Sequence, residues 1–144
     1  MPISINQEMM REIIMDHYSN PRNFREEKNP AYKTVYMDST SCIDKIYVQA
    51  KIENNILVDV CWHGIGCAIS KASTSIMSEL LKGKTIEQAN EIIKNYLAMI
   101  HEEKYDESIL DEAIVFMNTS RQAARIKCAT IGWNGMNKIL EGKD

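Results

Sequence analysis

The 144-residue sequence holds four cysteines, and three of them stand where the chain changes direction. Cys67 follows Gly64-Ile65-Gly66 and precedes Ala68-Ile69-Ser70, a glycine turn that delivers a thiol to the start of a helix. Glycine opens backbone conformations closed to other residues, and the positive end of a helix favours thiolate over thiol. Cys67 is therefore a candidate ligand or nucleophile. Cys42 lies in the turn that leads into a strand, Asp44 stands two residues later, and Cys128 sits near the start of the last helix. Three thiolates and one carboxylate would make a tetrahedral zinc set if the fold brings them together. No C-x-x-C pair is present, so spacing alone leaves open three unrelated core cysteines and a strand-start aspartate.

The remaining candidates carry weaker signals. Cys61 lies mid-strand with no glycine or helix end to present it, which predicts a structural or surface role. His63, at a strand end, reads as a hydrogen-bonding surface residue, His17 lies on the first helix, and His101 has no motif around it. Gly83-Lys84-Thr85 resembles the end of a phosphate loop, but Ser78 occupies the position of its first glycine and a helix precedes it. Arg125 and Lys127, just ahead of Cys128, are suited either to support a thiolate-rich site or to line a solvated helix face.

The elements that must position these groups are written in the hydrophobic pattern. Met9, Met10, Ile13, Ile14 and Tyr18 keep helical spacing from Asn6 onward until Asn20-Pro21, and Pro21 to Pro30 reads as a charged loop. Tyr32 to Asp38 predicts a first strand. Lys45 to Glu53 alternates, with Ile46, Val48, Ala50 and Ile52 on one face, and Asn54-Asn55 suits a hairpin turn. Ile56, Val58, Val60 and Trp62 are expected to continue the apolar face.

Ile69, Ala72, Ile76, Leu80 and Leu81 then form a helical stripe ended by Lys82-Gly83, and Thr85 with Gln88 makes a capping box for the next helix. A third stripe, Ile109, Leu110, Ala113, Ile114 and Met117, predicts a further helix. Asn118-Thr119-Ser120 breaks it and is expected to cap the last helix, which ends near Gly142. Strands followed by helices imply an α+β fold, a small three-stranded antiparallel sheet packed against several helices, with residues 1–144 as a single domain. An antiparallel hairpin returns the chain to the end of the sheet where it began, so Cys42, Asp44 and Cys67 can meet there.

Composition narrows the function classes. A net charge of −3 offers no basic footprint for nucleic acid, and no apolar run approaches membrane-spanning length. Met1 to Asn6 lacks the basic and apolar regions of a secretory leader, which predicts a cytoplasmic protein. In a reducing compartment, scattered cysteines point to metal, catalysis or core rather than to disulfides.

Four segments jointly resemble the iron-sulfur cluster assembly proteins of the IscU/NifU N-terminal type, with a SufE/NifU-like fold. They are Met15-Asp16-His17-Tyr18-Ser19-Asn20-Pro21-Arg22-Asn23, Ser41-Cys42-Ile43-Asp44, Gly64-Ile65-Gly66-Cys67-Ala68-Ile69-Ser70 and Ala124-Arg125-Ile126-Lys127-Cys128-Ala129-Thr130. A long segment between Cys67 and Cys128, a lysine before Cys128 and the lack of a Leu-Pro-Pro-Val-Lys motif place the resemblance with the SufU branch. It implies zinc held by Cys42, Asp44, Cys67 and Cys128. It also implies transfer of persulfide sulfur from a SufS-like cysteine desulfurase to Cys42, which a partner histidine would release from the metal. The alternatives within the resemblance are a scaffold building a transient [2Fe-2S] cluster for apo iron-sulfur proteins or downstream carriers, and a non-catalytic structural zinc domain that binds a desulfurase. One departure bears on the site: the family has glycine where Ile43 stands, and a β-branched residue resists positive φ. If that conformation is required, Asp44 leaves the metal. Ala123, where relatives often have proline, loosens the start of the last helix.

Overall fold

Asn54 and Asn55, at φ 52° and 66°, close the hairpin between β2 (Lys45–Glu53) and β3 (Ile56–Ile65). Positive φ at both central residues is what a two-residue turn matched to strand twist needs, and asparagine tolerates it. β1 (Tyr32–Asp38) pairs antiparallel with the other edge of β2, so the sheet order is β1-β2-β3. The computed structural model describes residues 6–39, 43–119 and 122–142.

The apolar face of β3 departs from simple alternation. Ile56 and Val58, expected in the core, are 37% and 39% exposed, whereas Leu57 is fully buried. Lys51 pairs with Asp59 but Ile52 pairs with Leu57, so Val58 is the extra residue of a β-bulge. One added residue inverts the facing of everything beyond it, which puts Leu57 and Val60 on the same side as their partners Ile52 and Ala50.

Among the described residues four α-helices complete the framework: α1 (Gln7–Ser19), α2 (Ala68–Leu81), α3 (Ile86–Ile100) and α4 (Ala123–Leu140). Asn6 caps α1 by accepting from the Met9 amide at 2.8 Å, and the expected Thr85–Gln88 capping box opens α3. α2 lies against β3, α4 against β1 and β2, and the two helices pack on each other. They bury Ile46, Val48, Val60 and Trp62 beneath Ala72, Ile76, Trp133 and Met136. The segment from Asn23 to Arg25 follows the free edge of β3. The Trp62 amide donates to the Asn23 carbonyl at 3.1 Å, and the Arg25 amide donates to the Trp62 carbonyl at 2.8 Å.

Two expectations about the later helices are corrected. The third stripe folds as two 3-10 turns, Glu107–Ile109 and Asp111–Phe116, not as an α-helix. Asp111 at φ 47° interrupts the run, and bonds such as Ala113 N–H to the Leu110 carbonyl at 2.8 Å wind it more tightly. Leu110, Ala113, Ile114 and Phe116 are nevertheless buried, so the apolar stripe has its packing role. α4 starts after Gln122, not at the Asn118-Thr119-Ser120 break, and has no side-chain cap, glutamine being a poor capping residue; the Gln122 amide donates to the Thr119 carbonyl at 2.9 Å. Ser120 lies outside the described residues.

Candidate metal centre

Register builds the site. Lys45 pairs with Ile65, so Asp44, just ahead of β2, comes level with the Gly66-Cys67 turn beyond β3. Gly64 makes the exit from the strand at φ 134°, and a side chain there would collide with the Lys45 carbonyl. Cys67 then serves as N-cap of α2, with its Sγ accepting from the Ser70 amide at 3.5 Å. Asp44 Oδ1 accepts two bonds, from the Cys67 amide at 3.0 Å and from the Ser70 hydroxyl at 2.9 Å.

Cys128 arrives from the opposite side on α4. The carbonyl of the next residue, Ala129, accepts from the Ser73 hydroxyl at 2.6 Å and the Tyr96 hydroxyl at 2.7 Å. Trp133 lies stacked on Tyr96 at 3.8 Å between centroids and donates its indole N–H to Ser73 at 3.0 Å. This buried network fixes both the height and the rotation of α4 against α2 and α3 at the turn that carries the thiol. Burial holds the Tyr96 hydroxyl well above its ordinary value, so it stays a donor.

Asp44, Cys67 and Cys128 consequently offer ligand atoms all within 4.8 Å of one another. Ligand atoms about 3.3–3.8 Å apart are what zinc bonds of roughly 2.0–2.3 Å in tetrahedral directions require, so small side-chain rotations suffice. Two thiols and a carboxylate, with Asp44 and Cys128 buried and Cys67 half-buried, suit zinc in donor type and enclosure. Cys42 lies outside the described residues. Ile43 is 67% exposed, and Asp44 keeps its place beside Cys67 with this β-branched residue directly before it.

The other candidates fall elsewhere. Arg125 and Lys127 are exposed on the first turns of α4, and Lys127 borders a cavity of about 250 Å³ with Asp38 and Ser39. Cys61 is fully buried on the second face of the sheet, donates to Gln49 Oε1 at 3.5 Å, and is pushed up to about 11 by burial. His63 stacks on Tyr47 at 4.6 Å. His17 is buried, 1% exposed, with Nδ1 2.7 Å from the Ser75 hydroxyl and Nε2 2.9 Å from Glu112. It ties α1 to α2 and to the 3-10 segment. Sequence reasoning missed Ser70, Ser73 and Tyr96. The signal available was a run of small hydroxyl residues, Ser70, Ser73, Thr74, Ser75 and Ser78, on the otherwise apolar α2.

Among the described residues no helix is long and apolar enough to cross a membrane. The sequence pattern of the NifU-like N terminal domain family matches residues 9–129. The zinc-dependent sulfurtransferase SufU of Bacillus subtilis is 39% identical over 131 residues, covering 90% of this chain and 88% of the relative. An iron-sulfur cluster assembly scaffold protein, IscU of Thermotoga maritima, is 30% identical over 133 residues, covering 92% and 93%. Among solved structures, FiSufU of Fervidobacterium islandicum, described as a SUF-system scaffold for iron-sulfur cluster assembly, superposes with a TM-score of 0.82 at 34% identity, covering 92% and 93%. The N-terminal part of a NifU-like protein from Brucella abortus shares the fold, with a TM-score of 0.80 at 17% identity over 92% and 94%.

Proposed function

The chain belongs to the NifU-like N terminal domain family, and from that premise we propose that it is a zinc-dependent sulfur acceptor that takes persulfide sulfur from a cysteine desulfurase for iron-sulfur cluster assembly. The observation that carries this reading is the convergence of Asp44, Cys67 and Cys128 from three separate elements. In it Cys42 completes the ligand set and is the residue that accepts sulfur. Bound zinc would hold the thiols deprotonated at neutral pH.

The chain's own residues divide the work. Cys67 and Cys128 are set on helices whose positions are fixed by hydrogen bonds and packing, which suits them to stay on the metal. Asp44 supplies a hard oxygen donor beside soft thiolates, which favours exchange over permanence. The transfer itself is thiol–persulfide exchange: the Cys42 thiolate attacks the terminal sulfur of the desulfurase persulfide. A new S–S bond forms on Cys42, the old one breaks, and the desulfurase cysteine leaves as thiolate. The partner would be a SufS-like desulfurase, with apo iron-sulfur proteins or their carriers downstream, in the cytoplasm.

The similarity to the Thermotoga IscU favours a second reading, a scaffold for a transient [2Fe-2S] cluster on the same residues. Purified protein mixed with desulfurase and cysteine distinguishes them. Zinc content near one per chain, persulfide on Cys42 by mass spectrometry and faster desulfurase turnover are expected, all persulfide being lost in Cys42→Ala. A stable visible chromophore after anaerobic iron and sulfide addition, passed on to an apo-protein, would replace this reading with the scaffold. Zinc and desulfurase binding without rate enhancement would leave only a structural zinc domain.

A further inference from the structure

We propose that Ser70 is the positioning residue of the metal centre, through a hydrogen-bonded unit that makes the helix cap and the ligand set one object. The inference rests on the reading of Asp44 as a metal ligand. In an ordinary capping box the N-cap side chain accepts from the N3 amide, and the N3 side chain returns to accept from the N-cap amide. At α2 the first half is present, with Cys67 Sγ facing the Ser70 amide at 3.5 Å. The second half is diverted. Ser70 occupies N3, and the Cys67 amide is taken instead by Asp44 Oδ1 at 3.0 Å, from a different element. The Ser70 hydroxyl closes the ring by donating to the same oxygen at 2.9 Å.

Two donors on one carboxylate oxygen fix the plane of the group, as outer-shell hydrogen bonds do for ligands in metal sites. Ser70 and Asp44 are each fully buried, so neither bond is exchanged for water at no cost. Gly66 supplies an independent observation. A Cβ there would collide with Ser70 Oγ and lie 2.9 Å from Asp44 Oδ1, so a side chain at this position would occupy the space of the Ser70–Asp44 bond. The hydroxyl also lies 3.1 Å from the Cys67 carbonyl, which keeps it within the same ring. The carboxylate's orientation thus depends on a serine that touches no metal.

The test is a double-mutant cycle on the full chain, read by zinc competition against a chromophoric chelator and by the d–d absorption of the cobalt-substituted protein. Melting of the zinc-free proteins reports folding. Ser70→Ala is expected to weaken zinc binding about 10-fold and to shift the cobalt bands. In an Asp44→Ala background, Ser70→Ala is expected to add nothing, because its route to the metal is gone. Gly66→Ala should reproduce the Ser70→Ala effect and the same non-additivity, which covers the case in which Ser70→Ala fails to fold. Equal, additive losses in both backgrounds, or a Ser70→Ala protein with unchanged affinity and spectrum, would overturn the proposal while Asp44→Ala still weakens binding. If Asp44→Ala itself changes neither readout, the ligand reading falls and Ser70's role falls with it.

Discussion

Cys61 and Cys67 stand six residues apart on one strand-to-helix passage and meet opposite fates. Cys61 is within the sheet, fully buried, with its thiol facing Gln49 and held at about 11. Cys67 is at the strand's far end, half-buried, with a helix amide facing its sulfur and a carboxylate beside its own amide. Residue type is constant and chain separation is small, so what differs is the backbone. A mid-strand residue has its amide and carbonyl spent on neighbouring strands, whereas a helix start has unpaired amides aimed outward. The element junction is therefore where the fold presents a thiol for chemistry.

The sharpest way to break this comparison is to delete each sulfur in turn. Cys67→Ala and Cys128→Ala are expected to lose zinc affinity by more than about 100-fold, since each removes a proposed ligand, with Cys61→Ala unchanged in chelator competition. A comparable loss in Cys61→Ala would erase the distinction. Next in size is reactivity. At pH 8 only about one thousandth of Cys61 is thiolate, and it has no exposed surface, so alkylation of zinc-free native protein should label Cys67 at least about 100-fold faster by peptide mapping.

Smaller effects concern stability on the Cys61 side. Cys61→Ala should cost about 1 kcal/mol in urea melts by leaving a small void under Gln49. On the same face Asp59 is bound by Arg25, by the Tyr32 hydroxyl at 2.5 Å and by Lys82 at 3.3 Å. Burial works against its charge, but the hydrogen bonds from Tyr32 and Lys82 and the charge of Arg25 prevail and hold its carboxyl below the ordinary value. A depressed folded value means a stabilising contribution that is complete above the unfolded value and lost as pH falls through the folded one. Asp59→Asn is thus expected to flatten the acid limb of stability below about pH 4, leaving zinc affinity alone.

Local signals were legible where a single element decides them. Asn54-Asn55, Thr85 with Gln88 and Gly64 to Cys67 each specify their geometry within a few residues, and the structure has a turn, a capping box and a helix start there. The convergence of Asp44 with Cys67 could be argued from antiparallel pairing alone, since hairpin register fixes it. Cys128 was harder, because its place depends on how α4 rotates over α2, and that is set by Ser73, Tyr96 and Trp133 acting together. The bulge at Val58 was invisible for another reason: Ile56, Val58, Val60 and Trp62 satisfy alternation perfectly well, and only the burial of Leu57 shows the chain using a different phase. The 3-10 turns kept their apolar stripe but not their helix type, since periods of 3.0 and 3.6 are hard to separate over two turns.

The bulge has a further consequence, for the lengths this chain can tolerate. Because facing repeats every two residues, the distance along β3 from Asp59, beyond the bulge, to Gly64 is constrained in parity, not merely in length. Deleting Val58 itself would leave the turn intact and give an unbulged ladder with Leu57 and Val60 still facing the core, whereas adding or removing one residue between Asp59 and Ile65 would turn over the residues beyond it. Such a slip would carry the Gly66-Cys67 turn away from Asp44. A one-residue change between Asp59 and Ile65 therefore decides which side of the sheet the candidate metal centre is assembled on, while the loss of Val58 leaves that side unchanged. Viable relatives should differ in this strand by the bulge residue or by two residues, not by a single residue elsewhere.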